Sequence, residues 1–169
     1  MRAETKADVA FLPGVEYGVA IPPGPITAAH LRQLVPHEGK VVTMRLSGAC
    51  IIEILEQAVE NAVTDDPTVK VGGMIQISGL QFQYRAAGAK GHRITSIERP
   101  DGKWNPADDF LVVTNSMLAY GGHNQEAFRH GESIKEHASQ YDVIKRAFRR
   151  DSPMKTPTLG RIENVPNSQ

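Results

Sequence analysis

The sequence predicts a mixed α+β domain, with mixed sheets flanked by helices. Strand-type and helix-type apolar patterns alternate irregularly along 169 residues, with no internal repeat and no low-complexity segment. Direct turns such as Pro100-Asp101-Gly102-Lys103 separate neighbouring strand-type runs. A hydrophobic content of 40% against 22% charged residues is ordinary for a globular chain, and this length suffices for one core.

Each element has its own signal. Ala7 to Leu12 reads as a strand closed by Pro13-Gly14, and Val15 to Ile21 as its extended continuation. Pro22-Pro23-Gly24-Pro25 forces an extended turn, because proline fixes φ and cannot donate to a ladder. Thr27 caps a short helix, Ala28 to Leu34, that Pro36 stops, and Lys40 to Leu46 is a strand. The clearest helix runs from Ser47 to Val63, with an apolar stripe of Ile51, Ile52, Leu55, Val59 and Ala62. Glu53, Glu56, Gln57 and Glu60 are expected on its solvated face, and Cys50 as a packed thiol near the core. In Met74 to Tyr84, Ile75 and Ile77 share one parity while Leu80, Phe82 and Tyr84 share the other, so a β-bulge or bend is expected at Ser78-Gly79. Arg93 to Glu98 and Phe110 to Val113 are further strands. A last helix over residues 139–149 buries Val143, Ile144, Ala147 and Phe148, and residues 151–159 form a linker before a terminal strand, Gly160 to Val165.

Functional signals concentrate between Val112 and Phe128. Thr114-Asn115-Ser116 offers cap chemistry at the strand end, and Gly121-Gly122 permits a sharp turn or close approach of backbone to a ligand. His123, Asn124 and Gln125 then present polar heads, followed by Phe128. A surface turn and a ligand-binding loop both fit this pattern. Formal net charge is zero, which favours neither nucleic acid nor an anionic membrane as partner. No apolar run approaches the roughly 20 residues of a membrane span, and no signal peptide is visible. His30, His37, His92, His123, His130 and His137 form no His-Glu-x-x-His, and His130 and His137 have the spacing of one helical face. Gly122-His123-Asn124 holds the residues of a Gly-Asn-His metal motif in another order. No Walker loop, nucleophile elbow or dinucleotide fingerprint occurs, so the chain reads as a recognition domain and not as a catalyst.

Six colinear segments resemble the C-terminal domain of the 5'-nucleotidase family: ADVAFLPG at 7–14, IPPGPITAAHLRQLVP at 21–36, LSGACIIEILEQAVEN at 46–61, GGMIQISGLQFQY at 72–84, VVTNSMLAYGG at 112–122 and GRI at 160–162. The resemblance implies a four-layer α/β/β/α unit that holds the nucleoside part of a nucleotide-like small-molecule substrate. It also implies a partner, an N-terminal metallophosphoesterase domain carrying two divalent metals and the catalytic residues. This chain would then hold no cofactor of its own and would represent only the substrate half, 1–169. Members often work in the periplasm or at the cell surface.

The departures from the family pattern define the expected substrate-binding residues. Where the family has Asn-Gly-Gly-Gly-Ile-Arg, this sequence reads Pro13-Gly14-Val15-Glu16-Tyr17-Gly18, replacing a cation with Glu16. Leu-Pro-Phe becomes Val35-Pro36-His37, and Gly-Gly-Asp-Gly with a following aromatic becomes Gly121-Gly122-His123-Asn124-Gln125. Base stacking is worth on the order of 1–3 kcal/mol per base, so loss of the aromatic pair should weaken nucleoside binding by about tenfold or more. Tyr17, His37 and Phe128 are the available substitutes. The Pro13-Gly14-x-x-Tyr17-Gly18 loop is also similar to the Pro-Gly-Phe-Arg-Trp-Gly loop of thiosulfohydrolases, which share the fold and release sulfate from a carrier cysteine. A substrate-recognition domain of a phosphoester hydrolase is therefore expected, with a thiosulfohydrolase-like domain and a freestanding binding domain as alternatives.

Overall fold

Residues 1–14, 20–37, 39–68, 72–100, 102–155 and 159–166 are described in the computed structural model. Their elements, in order, are α1 (Arg2–Thr5), β1 (Val9–Leu12), α2 (Ala28–Leu34), β2 (Lys40–Ser47), α3 (Gly48–Val63), β3 (Gln76–Ser78) and β4 (Gln81–Tyr84). Then come β5 (Ile94–Glu98), β6 (Asp109–Asn115), α4 (Ser116–Ala119), β7 (Glu132–Ser139), α5 (Gln140–Arg150) and β8 (Ile162–Asn164). Two 3-10 turns, Gly122–Asn124 and Glu126–His130, lie between α4 and β7.

The strands form two mixed sheets. The larger has the order β3-β1-β6-β2-β7, in which only β1 and β6 run parallel. The smaller has the order β5-β4-β8, with β8 parallel to β4. Side chains alternate across a strand, so the central strands of the larger sheet feed two apolar clusters. Val9, Phe11, Val42, Met44, Leu46, Phe110 and Val112 join the main core with α3 and with Phe82 of the smaller sheet. Ala10, Val41 and Val113 face the other way and meet Val143 of α5. The mixed α+β organisation is the one the sequence predicts.

Caps act where expected. The Thr27 hydroxyl accepts from the His30 amide and the His30 ring accepts from the Thr27 amide, closing a capping box on α2. The Ser47 hydroxyl accepts from the Cys50 amide at 3.2 Å and starts α3.

Several expectations need correction. Ser78-Gly79 is no bulge within one strand: the chain leaves the larger sheet after β3 and enters the smaller one at β4. Gly79 makes that exit at φ +93°, where a Cβ would stand 2.1 Å from the Asp8 carbonyl oxygen. The glutamate face of α3 is not wholly solvated, since Glu56 is buried and its Oε1 accepts from the Ile94 amide at 2.7 Å. Ile52 and Ala62 are only half-buried, and Ile54 and Ala58 complete the stripe instead. His130 and His137 share no helical face, because residues 132–139 form an edge strand in which His137 bonds the Thr43 hydroxyl at 2.8 Å. The Pro100–Lys103 turn connects strands of different sheets, and its Asp101 lies outside the described residues, as do residues 15–19 of the expected extension after β1.

Candidate functional site

The topology of the larger sheet gathers distant segments at one edge. Parallel β1 and β6 lie in register with Val9 beside Val112, and antiparallel β2 sets Val41 opposite Asn115. The ends of β1 and β6 and the start of β2 therefore coincide, and with them Gly14, the α4 loop and the segment 35–39. Space beyond the carboxyl ends of parallel strands is a favoured place for ligands. The Gly14 amide donates to the Gly72 carbonyl at 3.0 Å. Gly72 also carries the His123 ring, which sits so close that a Cβ at Gly72 would stand 2.3 Å from Nδ1. Gly14 and His123, 109 positions apart by numbering (123 minus 14), thus meet through one glycine.

Beside them a cleft of about 410 Å³ opens between α2 and α4, lined by Val35, His37, Ser116, Met117, Tyr120 and Gln140 among others. Its floor is stitched from three directions. Asn115 caps α4 by accepting from the Leu118 amide at 3.0 Å, the Lys40 amide donates to the Ser116 hydroxyl at 3.2 Å, and the Gln140 amide donates to the Gly39 carbonyl at 2.8 Å. Tyr120 is 52% exposed at the rim, where its hydroxyl donates to Glu136 Oε1 at 3.1 Å. That hydrogen bond, with the nearby carboxylate charge, holds the phenol pKa above its ordinary value, so the hydroxyl stays a donor at neutral pH. An imidazole, a thioether and a phenol around one opening suit a flat ligand, and Ser116 and Gln140 add hydrogen-bonding heads. The loop beyond is backbone-shaped: Gly121, His123 and Asn124 have φ of +84°, +58° and +56°. Histidine and asparagine enter this left-handed region more readily than most side chains. Among the described residues no group of three or more His, Cys, Asp or Glu could hold a metal ion. The described residues therefore do not fit a metal centre.

The sequence matches the model of the family described as 5'-nucleotidase, C-terminal domain, over residues 1–130. The chain belongs to that family. It is 29% identical over 153 residues to an apyrase of Tabanus yao, covering 84% of this chain and 27% of the relative. Among solved structures, the 5'-nucleotidase precursor from Thermus thermophilus superposes with a TM-score of 0.84 at 22% identity, over 99% of this chain and 33% of that one. The sulfate thiohydrolase SoxB of Thermus thermophilus, in complex with glycerol, gives 0.80 at 23% identity, over 99% of this chain and 30% of that one. At these identities the structural likeness speaks for the fold. The 5'-nucleotidase C-terminal-type chain thus spans about a quarter to a third of each of these proteins.

Within this nucleotidase-type domain the expected site residues divide. Gly14, His37, Gly121, Gly122 and His123 gather at the sheet edge, and Gly122 lies under Met117, whose Cγ would be 2.6 Å from a Cβ there. Gln125 and Phe128 are corrections. Phe128 is fully buried with its ring edge-on to Phe11 at 5.6 Å, so it serves the core and offers no face to a base. Gln125 is buried against α3, where its amide nitrogen can donate to the Ile54 carbonyl and its oxygen accept from the Ala58 amide, both at 3.2 Å. Asn124 is exposed and lines a different cleft, against α3. Glu16 and Tyr17 lie outside the described residues. Sequence reasoning passed over Met117 and Tyr120. An aromatic immediately before a glycine pair was the signal that could have found Tyr120.

Proposed function

We propose that this chain is the substrate-holding domain of a nucleotidase-type phosphoester hydrolase, and that the His37–Met117–Tyr120 cleft receives the flat part of a nucleotide-like substrate. The observation that carries this reading is the convergence of Gly14, His37 and the α4 loop at one sheet edge beside a stitched cleft. Membership of the 5'-nucleotidase C-terminal family supports it. The domain acts by proximity and orientation: a ligand held between His37, Met117 and Tyr120 presents its ester outward at a fixed place. In a protein where this domain is joined to a metallophosphoesterase domain, bound divalent metals there would polarise the ester and activate water. The thiosulfohydrolase alternative rests on the loop of residues 13–18, of which 15–18 lie outside the described residues, and the family match favours the nucleotidase reading.

The test uses a metal-loaded two-domain protein carrying this domain, assayed for phosphate release from nucleotides. His37→Ala and Tyr120→Ala should each raise KM about tenfold, as expected for a lost stacking contact, while kcat changes little. Unchanged KM in both variants, or no cleavage of any nucleotide by the parent, contradicts the reading.

A further inference from the structure

We infer that the His37–Tyr120 cleft selects its base by the acceptors on the base edge. Gln140 is the specificity-determining residue, and a 6-oxopurine is the preferred flat group. This rests on the function proposed above and narrows its substrate class.

The selectivity begins at the cap of α4. Asn115 Oδ1 accepts from the Leu118 amide at 3.0 Å, so Asn115 has its Nδ2 left to offer. That Nδ2 donates to Gln140 Oε1 at 3.5 Å. With its oxygen turned to Asn115, Gln140 presents its Nε2 elsewhere. Gln140 lines the cleft although it is only 6% exposed. Its Nε2 meets no acceptor among the described residues and, unlike the Thr114 hydroxyl, is not sealed from solvent. An unmet donor on a mostly buried side chain is a cost, and an acceptor placed in the cleft removes it.

Ser116 adds a second donor. Its Oγ accepts from the Lys40 amide at 3.2 Å, which leaves its own proton to donate. Both heads converge on Gly39, where a Cβ would stand 3.5 Å from Ser116 Oγ and 3.7 Å from Gln140 Oε1. Glycine at this position keeps the space in front of them open. Nearby backbone acceptors are already engaged. The Gly39 carbonyl takes the Gln140 amide at 2.8 Å, the His37 carbonyl the Gly39 amide at 3.0 Å, and the Ser116 carbonyl the Tyr120 amide at 3.3 Å.

Purines divide on this point. A 6-oxopurine offers O6 and N7 as adjacent acceptors, whereas adenine sets an N6 amino donor beside N7. Against Gln140 Nε2 the oxo edge gains a hydrogen bond, and the amino edge brings donor against donor. His37, Met117 and Tyr120 suit the faces of either ring, so the choice falls to the edge.

Inosine and adenosine, which differ at the purine 6-position, are titrated separately into the full chain and followed by amide chemical shifts. Inosine should saturate at about tenfold lower concentration, and it should shift the Gln140 side-chain NH2 signal. Gln140→Met keeps the length of the side chain without a donor and should bind both nucleosides alike. Ser116→Ala should shrink the preference by less. Equal affinities in the parent, with shifts at His37 and Tyr120 but none at the Gln140 NH2, overturn the selectivity and leave the cleft's role standing. A tenfold preference that persists in a folded Gln140→Met also overturns it. Binding of neither nucleoside in this cleft contradicts the proposed function itself, and the selectivity falls with it.

Discussion

Glu60 shows how single side chains tie the layers together. The hydrogen bond from Arg93, reinforced by the charges of Arg93 and Lys90, holds its carboxyl below the ordinary value. A depressed folded pKa means stability that is present above the unfolded value of about 4.3 and is lost as pH falls through the lower folded one. Glu60→Gln should therefore cost about 1 kcal/mol at neutral pH for this partly exposed pair, and the gap should close in acid. Thermal melts from neutral pH to below the carboxylate range check this, and a gap constant across the series contradicts it. Phe128, fully buried against Phe11, should cost about 3–5 kcal/mol as Phe128→Ala in urea denaturation. A loss below about 1 kcal/mol would mean the ring is not core and would reopen its ligand role. Cys50 is half-buried, and that burial, together with the Glu53 charge, raises its pKa. Its reaction with a thiol reagent should be slow in the folded chain and speed up in denaturant.

At the scale of elements, the Ser78-Gly79 step decides which sheet receives which strand. Gly79→Ala combines a positive φ with a backbone contact that cannot yield, so it should cost more than about 1 kcal/mol. A neutral effect in denaturant melts would show that the switch does not depend on this conformation. Here the sequence was half legible. The parity change between Ile77 and Leu80 marked a real break, but alternation alone does not distinguish a bulge from a change of sheet. α2 and α3 were legible because their signals are local: Thr27 and Ser47 caps, apolar spacing, and Pro36 beyond. β7 was not. Its residues, Glu132 to Ser139, are mostly polar and mostly exposed, and pairing with β2 across some 90 positions makes them a strand. The turn Glu126–His130 likewise folds Ala127 and Phe128 inward onto α3, which is a tertiary fact without a local pattern.

The whole molecule works by bringing strand ends together. Parallel β1 and β6, with antiparallel β2 alongside, place Gly14, His37 and the α4 loop at one edge, and no short stretch of sequence encodes that meeting. The family resemblance points to Gly14, His37 and Gly121 to His123 as candidate contacts, and the fold sets them at one sheet edge. Met117 and Tyr120 needed the fold, because their value lies in facing His37 across a cleft. Replacement of the expected aromatic pair by these side chains should leave nucleoside binding weak, while keeping it in the same place. Adenosine titrated into the full chain, with amide shifts followed residue by residue, tests this directly. Shifts confined to His37, Ser116, Met117, Tyr120 and Gly121, saturating only at millimolar concentration, are the predicted result. Micromolar affinity, or shifts centred anywhere but this cleft, would contradict it.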